Sequence, residues 1–185
     1  MLNKYKTMKG FFMGNIILIG FMGCGKSSVG KKLADRLNYC FCDVDRMIER
    51  DNKKSISEIF ETKGEEYFRE LETKTVKELI NTVSNCIISV GGGLPIKDGN
   101  SELLKELGAV VFLKVRKETI LRRLEFDKTR PLLADDDKEK KIDELLQYRE
   151  PIYTAIADIV VEVDNKEFDQ ILDEICNGVK VKWGK

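Results

Sequence analysis

The chain has 185 residues, 42% of them apolar, with 32 basic and 32 acidic side chains and no histidine. That length suits one ordinary domain with a real core, and a formal net charge of zero lacks the basic excess of a nucleic-acid binder. No run approaches the eighteen or so consecutive apolar residues of a membrane span, so a soluble cytoplasmic protein without nucleic-acid or membrane partners is expected.

Residues 1–14, MLNKYKTMKGFFMG, are basic with a short apolar patch. They read as a loose extension ahead of a single domain over 15–179. The β-branched run Asn15–Gly20 predicts a first strand, and Val29, Leu33 and Leu37, at steps of four, predict the helix after it. Tyr39–Val44 is the second strand. Ser55–Gly64, with a serine cap and Ile56, Ile59 and Phe60 at helical steps, reads as a short extra helix. Phe68, Leu71, Val76, Leu79, Ile80 and Val83 mark a longer one. Cys86–Gly91, Ala109–Val115 and Ile159–Val163 complete the strands, separated by helical patterns at 103–107 and 120–124. Residues 126–137, FDKTRPLLADDD, carry a proline and a charge run without periodicity, the mark of a long loop. Lys166–Gly178 is a last amphipathic helix before a tail, 180–185, expected to fray. This alternation predicts an α/β fold in three α/β/α layers, with a central five-stranded parallel sheet. Ligands should lie beyond the carboxyl ends of the strands. The five cysteines are an odd number in a chain too large to need a disulfide framework. Cys40-x-Cys42, with no second ligand pair at suitable spacing, makes a poor zinc site.

Gly20-x4-Gly25-Lys26-Ser27 is a Walker A pattern between a strand and a helix. Its glycines let backbone N–H groups close around phosphates at a helix N-terminus. Lys26 would bridge the β- and γ-phosphates, and the Ser27 hydroxyl would bind Mg²⁺. Asp43-Val44-Asp45 ends the second strand, where period-two geometry puts both carboxylates on one side. They could support Mg²⁺ through water and hold an acceptor hydroxyl, or Asp45 could simply cap a helix starting at Arg46. Arg69, in GEEYFRELE, could be an ion-pair partner of Glu65 or Glu72. Gly91-Gly92-Gly93 at a strand end permits close backbone approach to a ligand. Arg130 is either a solvated loop charge or a lid over the phosphates. Arg149, just before Pro151, could equally be a helix-dipole partner.

In order, GFMGCGKSSVGKKLA, FCDVD, SISEIFETKGEEYFRELE, SVGGG, TRPLL and YREPIY resemble the shikimate kinases, of the nucleoside monophosphate kinase-like P-loop group. The resemblance implies the P-loop kinase fold, with 46–75 as the substrate-binding segment and 126–137 as the lid. It implies transfer of the γ-phosphoryl group of ATP, with Mg²⁺, to the 3-hydroxyl of shikimate. Gly23, Cys24, Gly25, Lys26, Ser27 and Ser28 fall on the family's phosphate cradle, Ser27 on its magnesium ligand and Asp43 on the carboxylate supporting the metal. Arg130 falls on the lid arginine. Asp45, Arg69, Gly92 and Arg149 fall on the shikimate-binding residues, the two arginines clamping the carboxylate. Asp45, Lys26 and Arg130 are thereby the expected catalytic residues, and a monomer is expected. Ser28 stands where threonine is common, Cys24 replaces a small residue, and the N-terminal extension has no counterpart. The rival readings are a gluconate or nucleotide kinase of the same group, or a regulatory P-loop ATPase.

Overall fold

A computed structural model describes residues 14–125 and 138–184. These residues form five strands and seven α-helices: β1 (Asn15–Ile19), α1 (Lys26–Leu37), β2 (Cys40–Asp43), α2 (Val44–Asn52), α3 (Ile56–Thr82), β3 (Cys86–Ser89), α4 (Asn100–Leu107), β4 (Gly108–Lys114), α5 (Lys117–Leu124), α6 (Lys138–Ile156), β5 (Ile159–Glu162) and α7 (Phe168–Lys182). The sheet is parallel throughout, in the order β2-β3-β1-β4-β5. The expected five-stranded, three-layer architecture is what the chain adopts.

Both faces of the sheet are covered, which is why β1 reads Asn-Ile-Ile-Leu-Ile rather than alternating apolar and polar. Ile16 and Leu18 pack with Val29 and Leu33 of α1 and Ile175 and Val179 of α7. Ile17 and Ile19 face the opposite layer, with Ile48 of α2, Val76 and Leu79 of α3 and Tyr153 of α6. The buried Asn15 side chain ties three segments together at the amino edge: Nδ2 donates to the Val83 and Leu107 carbonyls, and Oδ1 accepts from the Cys86 N–H. From β1 the chain moves outward to β2, and from β3 it crosses back over β1 to β4. The crevice between the carboxyl ends of β1 and β3 is therefore the topological switch point, where a ligand is expected.

Three of the boundaries depart from the sequence reading, and a fourth agrees with it. The second strand ends at Asp43, not Val44, and Asp43, not Asp45, caps the next helix by accepting the Arg46 N–H. Val44 is fully buried, and starting the helix there, two residues before Arg46, turns it into the core. The expected short helix over 55–64 and the longer one after it are both present: α3 breaks sharply between them at Gly64 (φ 83°, ψ 169°), and a Ser55–Glu58 capping box opens the first. α6 continues past Pro151 to Ile156, placing Arg149 inside the helix rather than at its end. The lost backbone bond is outweighed by burying Tyr153 and Ile156 against the sheet. The final helix runs to Lys182 rather than 178, so the start of the expected frayed tail is helical; Trp183 packs against the core.

Candidate active site

The phosphate loop joins β1 to α1. Gly25, the N-cap of α1, has φ 100°, a conformation open to glycine and costly for other residues, and the loop leads straight into the N-terminus of α1, where unpaired N–H groups favour an anion. Lys26 Nζ donates to the carbonyls of Gly20 (2.9 Å) and Phe21 (3.0 Å), so the ammonium lies folded across the loop mouth. Ser27 Oγ donates to Asp43 Oδ2 at 2.8 Å. A hydroxyl and a carboxylate paired in this way are two hard oxygen donors, the kind Mg²⁺ takes. Cys24 is almost wholly buried, and its N–H donates to Phe21 O at 3.2 Å, so its side chain belongs to the core under the loop.

A cleft of about 430 Å³ opens over this loop. Gly23, Gly25, Ser28, Asp43, Asp45 and Gly92 line its phosphate end, with Arg123, Val163, Lys166 and Phe168 around the rest. Arg123 was not singled out from the sequence. Its Nη1 donates to Gly23 O at 2.9 Å, pinning α5 to the phosphate loop. The only signal for it was the Arg122-Arg123 pair just before the long loop.

A second, smaller cavity of about 80 Å³ shares Met22, Asp45, Gly91 and Gly92 with the first and continues to Phe60, Arg69, Glu72, Gly93 and Arg149. Arg69 reaches it from α3 and makes both expected ion pairs, to Glu65 (2.7 Å) and Glu72 (2.6 Å). Those pairs aim the guanidinium at the cavity, so pairing and pocket-lining are one arrangement. Glu72 is fully buried, and burial pushes its carboxyl up to about 7 against the opposing pull of Arg69. Arg149, 7% exposed, lies 6.0 Å from the Phe21 ring centroid, and its Nε finds no hydrogen-bond partner among the described residues. A buried guanidinium with an unused donor is a receptor for an anion.

The three glycines after β3 run between these side chains. A Cβ on Gly93 would sit 2.3 Å from Arg69 Cζ, and one on Gly91 would sit 2.5 Å from Glu72 Oε1. Tyr153, also missed in the sequence, donates its hydroxyl to Gly92 O from α6. Burial holds that phenol up near 12, so it remains a donor. Of the residues expected at the site, the structure brings together Gly23, Cys24, Gly25, Lys26, Ser27, Ser28, Asp43, Asp45, Arg69, Gly92 and Arg149. Arg130 and the proposed lid lie outside the described residues.

A parallel sheet with a Walker A loop at its switch point, joined to a second cavity lined by two arginines and an aspartate, defines a P-loop kinase of a small acceptor. The shikimate kinase family model matches residues 22–180. A shikimate kinase from Caldanaerobacter subterraneus subsp. tengcongensis is 43% identical over 92% of this chain and 99% of its own length. Among solved structures, shikimate kinase from Acinetobacter baumannii in complex with shikimate superposes with a TM-score of 0.88 at 35% identity, covering 95% of this chain and 97% of that one. The enzyme from Aquifex aeolicus gives a TM-score of 0.78 at 38% identity, over 91% of this chain and 98% of that one. The chain belongs to the shikimate kinase family. It is an ATP-dependent phosphotransferase with an alcohol acceptor, acting on shikimate in aromatic amino-acid biosynthesis.

Proposed function

We propose the following division of labour for phosphorylation of the shikimate 3-hydroxyl by ATP. The observation that carries it is the pair of joined cavities, with the phosphate loop in one, Arg69 and Arg149 in the other, and Asp45 and Gly92 lining both. The ATP phosphates occupy the loop, and Lys26 leaves its two carbonyls to bridge the β- and γ-oxygens. Ser27 and Asp43 would hold Mg²⁺, the latter through water; the ion would offset charge on the phosphates. Arg123, Lys166 and Phe168 frame the nucleoside end of the cleft.

Shikimate enters the second cavity with its carboxylate between Arg69 and Arg149, a task matched to two guanidinium forks. The Gly92 carbonyl already accepts the Tyr153 hydroxyl, so its N–H is the group presented to the substrate. Asp45, between the two cavities, orients the attacking hydroxyl and accepts its proton as the P–O bond forms. Arg130 completes the charge on the γ-phosphoryl group from the lid. The enzyme works as a monomer in the cytoplasm, whose reducing conditions suit its free cysteines.

The test is ADP release measured with shikimate, gluconate, nucleoside monophosphates and no acceptor. Turnover with shikimate alone is expected. Turnover driven by gluconate or a nucleotide would overturn the acceptor assignment, and undiminished hydrolysis without acceptor would favour a regulatory ATPase. No helix among the described residues is long and apolar enough to cross a membrane.

A further inference from the structure

Cys40 and Cys42 stand on one face of β2, two residues apart, and Cys86 opens the neighbouring strand β3 directly opposite Cys40. The sulfurs of all three lie within 4.8 Å of one another, the only such group of potential metal ligands among the described residues. The Cys42 and Cys86 sulfurs are 3.4 Å apart. Cys86 is fully buried, Cys42 half-buried and Cys40 exposed, so the cluster forms a short path from solvent into the sheet. β2 is an edge strand of the sheet, and no further strand among the described residues covers that approach.

Two chemistries could use three such thiols. A disulfide between Cys42 and Cys86, the pair whose sulfurs already touch, fits poorly, and one between Cys40 and Cys86, whose α-carbons face each other about 4.8 Å apart, fits the usual range but leaves Cys42 unused. Cys86 pairs with Cys40, so Cys42 lies two residues further along. Strands about 4.8 Å apart rising about 3.3 Å per residue then separate the Cys42 and Cys86 α-carbons by about 8 Å. Disulfides need about 4.4–6.8 Å, so closing the bond would require the backbone to move. A metal ion makes no such demand. A metal–sulfur bond of about 2.3 Å places its sulfurs about 3.8–4.0 Å apart, inside the range already present.

We propose that Cys40, Cys42 and Cys86 form a three-thiolate site for a soft d¹⁰ cation such as Zn²⁺, Cu⁺ or Cd²⁺, distinct from the kinase centre. Thiolate ligands select such ions over Mg²⁺, which prefers oxygen. With no histidine in the chain, the fourth position belongs to water at the exposed Cys40 side. The spacing of Cys40 and Cys42 alone hides this site, because its third ligand is 44 residues away and arrives only through strand pairing.

The test uses the full chain, reduced and stripped of metal, titrated with Cd²⁺ while the sulfur-to-cadmium charge-transfer absorption is followed. Zn²⁺ affinity is measured separately against a chromophoric chelator. One equivalent should bind, and excess Mg²⁺ with ATP should not displace it. Cys40→Ser and Cys42→Ser, both at positions reached by solvent, should each weaken binding at least about tenfold, the lower bound for losing even an outer-shell partner. Cys176→Ser, remote from the cluster, should bind as the unaltered chain does, with circular dichroism confirming that every variant folds. Three results would each overturn the proposal: no uptake at micromolar metal, binding unchanged in the Cys40→Ser, Cys42→Ser double variant, or displacement by Mg²⁺ and ATP, which would put the ion at Ser27 and Asp43. A disulfide among the three after mild oxidation, in a chain that takes up no metal when reduced, would replace the site with a redox pair.

Discussion

Gly93→Ala separates the two roles that a glycine can have. The residue has φ −89° and ψ −20°, which alanine adopts without strain, so the backbone gives no reason for glycine. The reason is proximity. The added methyl would sit 2.3 Å from Arg69 Cζ and 2.4 Å from both terminal nitrogens, whereas ordinary contact begins near 3.4 Å. The guanidinium must retreat by about 1 Å. Its bonds to Glu72 and Glu65 measure 2.6 and 2.7 Å, and that retreat carries at least one beyond the usual limit of about 3.2 Å. Glu72 is fully buried and cannot follow. Disturbing this pair should cost about 1–3 kcal/mol of stability, or a fall of about 2–4 °C in Tm per kcal/mol at this size. The larger effect falls on the acceptor. Losing a charge-assisted contact to a carboxylate is worth about 1.5–3 kcal/mol, so the KM for shikimate should rise about 10- to 150-fold. The KM for ATP should stay within about twofold, because the phosphate loop is untouched, and kcat should change little. Coupled ADP-release kinetics, varying each substrate in turn, measure all three quantities. A shikimate KM within threefold of the parent, in a folded variant, would refute the claim that Gly93 makes room for Arg69, as would an ATP KM rising in step.

Four further outcomes follow from the same geometry. Lys26→Ala should lower kcat at least about 100-fold through lost charge stabilisation; normal turnover would remove Lys26 from the phosphate site. Asp45→Asn should lower kcat about 10²–10⁴-fold with a modest change in KM, as loss of a general base does, and an unchanged rate would leave Asp45 with no catalytic part. Tyr153→Phe leaves the Gly92 carbonyl without its buried donor and should cost about 1–3 kcal/mol in urea unfolding; an equally stable variant would show that the bond contributes nothing. Glu72 binds its proton more tightly folded, up to about 7, than its ordinary 4.5, so its contribution to stability is full below pH 4.5 and is lost as pH rises through about 7. Relative to Glu72→Gln, the parent should lose stability between pH 5 and pH 8, on the order of 3 kcal/mol at most, and a difference independent of pH would contradict a raised carboxyl.

The fold was legible because burial on both faces of a parallel sheet writes continuous apolar runs into the chain, and helices between them keep a period near four. Boundaries were less legible where two local rules competed. At Pro151 the missing N–H argued for a helix end, but Tyr153 and Ile156 gain more by burial than one backbone bond loses. Site residues with a local signature, the glycine loop above all, were readable from spacing. Arg123 and Tyr153 were not, because each acts through a contact to a backbone carbonyl far along the chain, at Gly23 and Gly92, and such an acceptor has no side chain to read. The same blindness concealed the role of Glu72, which looked like half of an ordinary ion pair.

Asp45 is the instructive case, since it lines the expected cavities for a different reason than the one given for it. A strand continuing to residue 45 would have set Asp43 and Asp45 on one side by alternation. Instead the strand stops at Asp43, whose carboxylate serves two neighbours at once: it caps α2 by accepting the Arg46 N–H and it accepts the Ser27 hydroxyl. The turn into α2 then buries Val44 and swings Asp45 from the edge of the nucleotide cleft into the wall it shares with the acceptor cavity. A cap and a strand end thus set two carboxylates, one residue apart, in different places: Asp43 against Ser27 of the phosphate loop, and Asp45 in the wall common to both cavities. Continuing the strand by two residues would instead have put both on one side.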